Sequence, residues 1–237
     1  MTTNININEI KEKLNTKLIE SGWARVLRGF IFSNEFDTIL LTLIKDSQED
    51  RRFTPFIKYV FRAFEECPYD ELKVVIIGQD PYSGIEQADG LAFSCAFEKK
   101  PLPALEYLLQ AVNDTVYESE SISNDKDLKR WSNQGILMLN SALTTTIGKP
   151  NSHIELWRPM MAYVLDYLKI YNPGLCYILM GRTSEQLIDY LSEKDPLFIL
   201  THPMNAISLG KKKWPCDDVF RKVSEITKKN YNFDINW

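Results

Sequence analysis

Three side chains with chemical capability, Asp80, Asn140 and His202, each follow a short apolar run of the sequence. Such runs are typical of strands buried in a parallel sheet, whose carboxyl ends share one edge where ligands bind. Each residue alone has an ordinary explanation, because Asp and Asn satisfy turns and a lone His commonly serves structure. Together, a carboxylate, an amide and an imidazole beside the rings of Tyr82 and Phe93 suit a polar planar ring. The amide offers both a donor and an acceptor, so it can read one edge of a base.

The elements that position these residues alternate between predicted strands and helices. Four apolar runs predict strands at residues 74–77, 136–139, 176–180 and 197–200. Helical periodicity predicts helices at residues 7–18, 33–44, 102–117, 157–171, 183–191 and 217–228, with one or two helical turns within residues 53–64. The polar residues 118–129 are typical of a surface loop. This alternation predicts an α/β, three-layer fold with a central four-stranded parallel sheet flanked by helices.

The composition is that of a folded protein, and we expect residues 1–237 to form a single domain with residues 1–22 as an N-terminal helical extension. Apolar residues make up 44% and charged residues 25% of the chain, which argues against disorder. The formal net charge of −4 lacks the basic excess of a typical nucleic-acid binder, so any DNA contact must rest on a local patch. The clearest basic cluster is Lys211, Lys212 and Lys213, directly before Trp214.

The common metal and nucleotide motifs are absent from the sequence. The four cysteines show no paired spacing and only two histidines occur, so we expect no metal and no organic cofactor. No Gly-x-Gly-x-x-Gly sequence occurs, and Gly148-Lys149 is followed by Pro150, so dinucleotide-binding and P-loop sites are excluded. Unpaired cysteines, no secretory signal and no apolar run of membrane length predict an intracellular protein, either cytoplasmic or in a host nucleus.

Several motifs, in order, resemble those of the family 1 uracil-DNA glycosylases. Residues 78–82, Gly-Gln-Asp-Pro-Tyr, resemble the signature loop of that family, and residues 87–94, Gln-Ala-Asp-Gly-Leu-Ala-Phe-Ser, resemble its continuation. The resemblance extends from about Trp23 to Trp237 and covers nearly all of the chain. It implies a monofunctional, cofactor-free hydrolase that flips uracil out of DNA and leaves an abasic site. It also implies a monomer that acts on single- or double-stranded uracil-containing DNA, with a proteinaceous inhibitor as a candidate partner.

The same resemblance implies roles for the three polar residues. Asp80 matches the carboxylate that positions the attacking water and stabilises the oxocarbenium-like sugar. His202, in Thr-His-Pro, matches the histidine that hydrogen-bonds uracil O2, and Asn140 matches the amide that reads uracil O4 and N3. No lysine lies in these motifs, which argues against a Schiff-base lyase mechanism.

Other matches form the walls of the expected pocket. Phe93 matches the ring that stacks on the base, and Tyr82 matches the side chain that crowds its C5 edge. Gln79 matches a residue whose backbone forms part of the floor of the pocket. His153, after Ser152, matches a Ser-His pair of the family for which we expect a structural role.

The DNA-facing motifs depart from the family pattern. Ser83 stands where His is usual, and Ala104 stands where a phosphate-binding Ser is typical. After His202 the chain has Pro-Met-Asn-Ala-Ile-Ser in place of Pro-Ser-Pro-Leu-Ser, whose Leu wedges into the duplex. With one insertion Ile207 takes the wedge position, and without it Ala206 does. At the DNA-facing positions, the residues that we expect to contact DNA are Ser83, Ala104, Ile207, Ser208 and Lys211.

Two alternatives to a uracil-specific enzyme remain at this point. A glycosylase fold kept for DNA or protein binding, with weak or lost catalysis, is favoured by the acidic net charge and the altered DNA-facing loops. The intact pocket residues favour the enzyme instead. A related glycosylase with another base specificity is the second alternative, and Tyr82 together with Asn140 argues against it.

Overall fold

The computed structural model describes residues 6–118 and 124–237. Within those ranges the α-helices are α1 Ile7–Lys17, α2 Ala24–Ile31, α3 Asn34–Gln48, α4 Arg62–Glu66, α5 Pro103–Val112, α6 Lys129–Ser132, α7 Ile154–Tyr171, α8 Arg182–Glu185, α9 Pro203–Ser208 and α10 Val219–Tyr231. The strands are β1 Phe53–Thr54, β2 Val74–Gly78, β3 Ile136–Asn140, β4 Thr145–Thr146, β5 Cys176–Met180 and β6 Leu197–Leu200. None of these helices is long and apolar enough to cross a membrane.

The central sheet has the order β3-β2-β5-β6, and all of its neighbouring strands are parallel. Every residue of β2, β3 and β5 is buried, which is why these strands are nearly continuous apolar runs rather than alternating ones. Gly78 pairs with Asn140 in the register of β2 and β3, so these two strands end side by side. The predicted α/β fold with a four-stranded parallel sheet flanked by helices is confirmed.

A second, two-stranded sheet lies beside the carboxyl edge of the central one. In it, β1 pairs antiparallel with β4, and Thr54 lies opposite Thr145. Because β4 begins only a few residues after β3 ends, this pairing fixes the path of residues 147–151 next to the loop that follows β2. The backbone N–H of Gly148 donates to the carbonyl of Ser83 at 2.8 Å, which ties the two segments together.

The N-terminal helices pack onto the same core as the sheet. Leu18 and Trp23 are fully buried, and the indole N–H of Trp23 donates to the carbonyl of Cys67 at 2.7 Å. The Trp23 ring also makes edge contacts with Phe64 and Tyr69, at centroid distances of 4.9 and 5.1 Å. The single-domain assignment remains our proposal, and residues 1–5 of the expected N-terminal extension lie outside the described residues.

The observed elements differ from the predicted ones mainly where they are short. The prediction of one helix at residues 183–191 is wrong, because α8 is followed by a separate 3-10 turn at residues 188–190 that lets the chain bury Leu187. The helices α2, α6 and α9 and the strands β1 and β4 were not predicted, since all are eight residues or fewer. Of the expected surface loop at 118–129, residues 119–123 lie outside the described residues.

Candidate active site

The carboxyl ends of β2 and β3 and the segment after β6 border one cavity of about 320 Å³. Asp80, Asn140 and His202 all line this cavity, and Tyr82 and Phe93 form part of its wall. The five residues come from four separate stretches of the chain. The parallel arrangement of the strands therefore brings together the residues that the sequence analysis grouped.

Gly78 lets the amide and the aromatic ring approach the backbone of β2. A Cβ atom at this position would lie 2.6 Å from Asn140 Oδ1 and 3.2 Å from the Phe93 ring. The hydroxyl and the backbone N–H of Ser141 both donate to the carbonyl of Gly78, at 2.9 and 3.1 Å. Asn140 is 8% exposed, so its amide works in a weakly screened environment where a hydrogen bond to a base is strengthened.

Asp80 is a partly desolvated carboxylate that is held in place through one oxygen. Its Oδ2 accepts a hydrogen bond from the backbone N–H of Asn151 at 2.5 Å. Burial raises the pKa of Asp80 above its ordinary value, and the hydrogen bonds from Asn151 and Thr145 offset part of this rise. A fixed carboxylate of this kind suits both the orientation of a water molecule and the stabilisation of a nearby cation.

A buried hydrogen-bond network centred on His153 supports the turn that faces this carboxylate. The indole N–H of Trp157 donates to Thr144 Oγ1 at 2.7 Å, and Thr144 Oγ1 is hydrogen-bonded to His153 Nδ1 at 2.8 Å. The other ring nitrogen, Nε2, lies 3.2 Å from Thr146 Oγ1 and 3.5 Å from Asp46 Oδ2. Burial lowers the pKa of His153, although Asp46 opposes this shift. A neutral, enclosed ring supports the structural role expected for this residue.

His202 is held in the one neutral tautomer that can donate a proton into the cavity. Its Nδ1 accepts a hydrogen bond from the backbone N–H of Met204 at 3.2 Å, which leaves the proton of the neutral ring on Nε2. Burial lowers the pKa of His202 to about 4, so the ring is neutral at physiological pH. Its centroid lies 5.4 Å from that of Phe93, at an interplanar angle of 32°.

Phe93 has a left-handed backbone conformation, with φ of 65°, which is rare for an aromatic residue and marks a position fixed by its surroundings. The fixing group is Asp89, a fully buried carboxylate. Its Oδ2 accepts hydrogen bonds from the Ser94 hydroxyl at 2.5 Å and the Ala96 N–H at 2.8 Å, and its Oδ1 pairs with Arg62 at 3.1 Å. Asp89 was missed as a site residue, although it lies inside the motif at residues 87–94.

Tyr82 and Gln79 are both fixed by contacts with neighbouring loops. The Tyr82 hydroxyl donates to the carbonyl of Phe93 at 3.0 Å, which couples the two aromatic walls. The carbonyl of Gln79 accepts a hydrogen bond from the N–H of Ala142 at 3.3 Å, whereas its side chain packs against Gly181. Gln79 lines the cavity, and its expected role as a backbone contributor to the pocket floor stays a prediction.

The predicted DNA contacts at Ser83 and Ala104 differ in accessibility. Ser83 lines the cavity and is half-buried. Ala104 is only 1% exposed because it lies in the buried first turn of α5. A side-chain contact between Ala104 and DNA is therefore not available, and any contact there must use the backbone.

The chain after β6 forms the short helix α9 rather than an open loop. Ala206 is 2% exposed and Ile207 is half-buried, whereas Met204 is 40% exposed and lines the mouth of the cavity. Ser208 and Lys211 are exposed, as DNA contacts would need to be. Met204 was missed because a sequence comparison aligns positions without showing which side chain faces the cavity.

No group of three or more His, Cys, Asp or Glu side chains that could hold a metal ion occurs within residues 6–118 and 124–237. The four cysteines are buried and unpaired. Burial raises the pKa of the Cys176 thiol to about 12 and that of Cys216 to about 11, so neither is a reactive thiolate. A reaction without metal or cofactor remains a prediction.

The chain is similar to known proteins over most of its length. Residues 64–224 match the family model described as the Uracil DNA glycosylase superfamily. The Uracil-DNA glycosylase of Acinetobacter baumannii (strain SDF) is 30% identical over 229 residues, which cover 96% of this chain and 95% of that protein. The Uracil-DNA glycosylase of Aliarcobacter butzleri (strain RM4018) is 36% identical over 183 residues, or 75% and 82% of the two chains.

Solved structures with this fold include viral proteins. The crystal structure of mimivirus uracil-DNA glycosylase superposes with a TM-score of 0.82 at 20% identity and covers 98% of this chain and 89% of that one. A mimivirus UNG variant in complex with UGI superposes with a TM-score of 0.81 at 21% identity, covering 91% of this chain and 87% of that one. At such low identities these matches bear on the fold alone.

Proposed function

The chain belongs to the uracil DNA glycosylase superfamily, and on this premise we propose that it is a monofunctional uracil-DNA glycosylase. It flips uracil out of DNA, hydrolyses the N-glycosidic bond with water and leaves an abasic site that initiates base excision repair. The observation that carries this proposal is the single cavity lined by Asp80, Asn140 and His202. A carboxylate, an amide and a neutral imidazole beside an aromatic face together meet the chemical needs of this reaction.

Asp80 acts on the sugar side of the bond that breaks. As the bond lengthens, positive charge develops on the sugar ring, and the fixed carboxylate stabilises that charge while it orients the attacking water. Partial burial strengthens this interaction, because the effective dielectric constant is lower there than in bulk water. The hydrogen bond from Asn151 supports this role, since it fixes the carboxylate before the substrate arrives.

His202 and Asn140 act on the departing base. Negative charge gathers on uracil as it leaves, and the Nε2–H of neutral His202 donates a hydrogen bond to uracil O2. The Asn140 amide donates to O4 and accepts from N3–H, an arrangement that cytosine cannot match. The backbone N–H of Met204 supports this role for His202, because it occupies Nδ1 and thereby holds the proton on Nε2.

Phe93 and Tyr82 set the shape of the base pocket. Phe93 stacks on the face of uracil, and Tyr82 occupies the space that the C5 methyl group of thymine would need. The hydrogen bond from the Tyr82 hydroxyl to the Phe93 carbonyl supports a shared role, because it holds the Tyr82 side chain against the backbone that carries the Phe93 ring.

The partners follow from the same proposal. The substrate is uracil-containing DNA, single- or double-stranded, contacted by Ser83, Ile207, Ser208, Lys211 and the backbone at Ala104. The enzyme acts as a monomer without metal or cofactor. A proteinaceous glycosylase inhibitor is a second candidate partner, supported by the UGI complex of the mimivirus neighbour.

The test is uracil release from a defined single-stranded oligonucleotide, with and without a chelator. The parent should turn over equally in both conditions. Asp80→Asn keeps the shape but loses the charge, so kcat should fall by ~10²–10³ while DNA binding is retained. His202→Leu should also lose activity, and Asn140→Asp should reject uracil by ~10⁴ or more, since a carboxylate cannot donate to O4.

The control is Asp166→Asn, which removes an exposed carboxylate on α7 outside the cavity. This variant should match the parent. If folded parent protein binds DNA but releases no uracil, and the three site variants behave like it, the chain is a binding module and the enzymatic proposal fails.

A further inference from the structure

A second cavity of about 330 Å³ lies next to the candidate active site and has no role in the reaction described above. Its wall is apolar and unusually open to solvent: Phe56 is 49% exposed and Ile85 is 61% exposed. Phe53, Pro55, Ile57 and Ile147 are the other apolar residues of the lining, which also includes Arg52. Exposed aromatic and aliphatic side chains around a concave surface mark a binding site more often than a structural feature.

The charge at this cavity favours an anionic ligand. Arg52 lines the cavity, and Lys149 follows the lining residue Ile147 by two positions; both side chains are exposed, and in the described part of the chain neither makes a hydrogen bond or an ion pair. By contrast, Arg25, Arg51 and Arg158 each pair with a carboxylate. Glu86 also lines the cavity, but it is exposed and therefore well solvated. An unpaired guanidinium beside an open aromatic ring fits the combination of phosphate and base in one nucleotide.

The cavity is connected to the candidate active site by backbone hydrogen bonds. The N–H of Ile147 donates to the carbonyl of Arg52 at 2.9 Å, and the next residue, Gly148, donates to Ser83 in the wall of the uracil cavity. The same segment continues from Ile147 to Asn151, whose backbone N–H donates to the Asp80 carboxylate. A DNA strand held at Asp80 can therefore continue directly across this surface.

We propose that this surface, formed by Arg52, Phe56, Ile85, Ile147 and Lys149, is a subsite for an unpaired nucleotide of the strand that carries the uracil. The base of that nucleotide stacks on the Phe56 ring between the two isoleucines, and its phosphate contacts Arg52, with Lys149 nearby. The occupant is a nucleotide of single-stranded DNA, because a paired base keeps its faces stacked inside the duplex. This inference rests on the proposed function for its substrate.

The experiment compares two substrates with Phe56→Ala and Arg52→Ala. One substrate is a single-stranded 15-nucleotide oligonucleotide with a central uracil, and the other is deoxyuridine carrying only its 3′ and 5′ phosphates. On the oligonucleotide, Phe56→Ala should lower kcat/KM by about 10-fold, the usual cost of losing one stacked base. On the bisphosphate, which is too short to reach the subsite, kcat/KM should not change.

Salt dependence separates the two contacts within the subsite. Arg52→Ala should reduce the slope of log kcat/KM against log salt by about 0.7 on the oligonucleotide, the value for one phosphate of a single strand. Phe56→Ala should leave that slope unchanged, since stacking involves no charge.

Matched controls come from the end of α2, where Arg28 lies over the exposed ring of Phe32, the residue after the helix, at 5.0 Å; neither residue lines either cavity. Arg28→Ala and Phe32→Ala should match the parent on both substrates. Equal losses on both substrates for Phe56→Ala would mean that the ring acts only through the catalytic loop, and no loss on either would leave the surface without a role. Either result overturns the proposal.

Binding of a uracil-free 15-nucleotide strand, followed by fluorescence anisotropy, distinguishes failure of the subsite from failure of the proposed function. If the parent releases no uracil, the enzymatic proposal fails, but Phe56→Ala and Arg52→Ala should still weaken this binding relative to the α2 controls. If they do not weaken it, the subsite is refuted as well.

Discussion

The pKa values of the two candidate catalytic groups, Asp80 and His202, are shifted in opposite directions, and burial causes both shifts. Burial disfavours the charged form of each, so it raises the pKa of Asp80 and lowers that of His202 to about 4. The reaction needs Asp80 ionised and His202 neutral. Hydrogen bonds to the charged carboxylate from Asn151 and Thr145 offset its shift, whereas burial alone accounts for the shift of His202. Both required states are therefore present at neutral pH and both are lost on acidification.

The pH dependence of the single-turnover rate tests this pairing. Because protonation of either residue stops the reaction, the rate should be flat near neutral pH and fall on the acid side, with a limiting slope near two in log rate per pH unit. Asp80→Asn removes one of the two ionisations. On the acid side, the log of its residual rate should therefore fall with a slope near one per pH unit. The midpoint of that fall should lie close to the pKa of His202, about 4. A midpoint close to 6.5, the ordinary value for histidine, would show instead that His202 is solvated.

At the scale of elements, the carboxyl ends of β2 and β3 depend on each other for their packing. Gly78 and Asn140 are register partners, and the lack of a side chain at Gly78 leaves room for the Asn140 amide and the Phe93 ring. The strand end thus sets the distance between the group that reads the base and the group that stacks on it.

Gly78→Ala tests this dependence. The added methyl group would lie 2.6 Å from Asn140 Oδ1, so the amide must move away from the base-reading position. A displacement of about 1 Å at an active site can lower the rate by ~10²-fold, and we expect a loss of that order in kcat/KM for uracil release. Gly29→Ala is the control, because its Cβ would lie 2.7 Å from the Tyr163 hydroxyl, a similarly close contact that involves no residue of the cavity. Activity equal to the parent in folded Gly78→Ala would contradict the argument.

Helix α9 decides which side chain can enter the space left by a flipped base. Met204 is 40% exposed at the cavity mouth, whereas Ile207 is half-buried and Ala206 is covered. Excision from duplex DNA should therefore fall more in Met204→Ala than in Ile207→Ala, and Met204→Ala should affect single-stranded substrates much less.

Leu209→Ala provides the matched control for α9, since this residue is 70% exposed but does not line the cavity. The measurement is the ratio of duplex to single-strand rates for each variant. A larger drop of this ratio in Ile207→Ala than in Met204→Ala would favour the assignment made from the sequence alignment.

The sequence predicted the four apolar runs that form the central sheet and missed the shorter helices and the two-residue strands. The strands at residues 176–180 and 197–200 both have the predicted limits, because each is a continuous apolar run, although only the first is fully buried. Strands of two residues, such as β1 and β4, are too short to show a periodic pattern in the sequence. They are recognised only by their pairing with each other in the folded structure. The same applies to the site: Asp80, Asn140 and His202 follow from strand ends, whereas the contacts of Asp89 with Arg62 and of His153 with Asp46 join distant chain segments.

At the scale of the whole molecule, the net charge of −4 opposes DNA binding, so the basic groups at the carboxyl edge of the sheet must act locally. Lys211 and Lys212 are exposed, and the carbonyl of Lys211 is held by the Tyr107 hydroxyl at 2.6 Å. The third lysine of the cluster, Lys213, is paired with Asp114 at 2.7 Å, so its charge is partly neutralised.

Replacement of Lys211 and Lys212 by Ala should weaken duplex binding and make it less dependent on salt. Each lysine that contacts a phosphate contributes about 0.9 to the slope of log K against log salt, so the double variant should lose up to ~2 units. The control replaces Lys194 and Lys229, which are also exposed; Lys194 precedes β6, and Lys229 lies near Tyr231, whose hydroxyl contacts Gly174 before β5. Both therefore lie at the opposite edge of the sheet, and their loss changes the net charge equally without removing a phosphate contact. An equal change in slope for both double variants would mean that DNA responds to the total charge of the protein rather than to the Lys211 cluster.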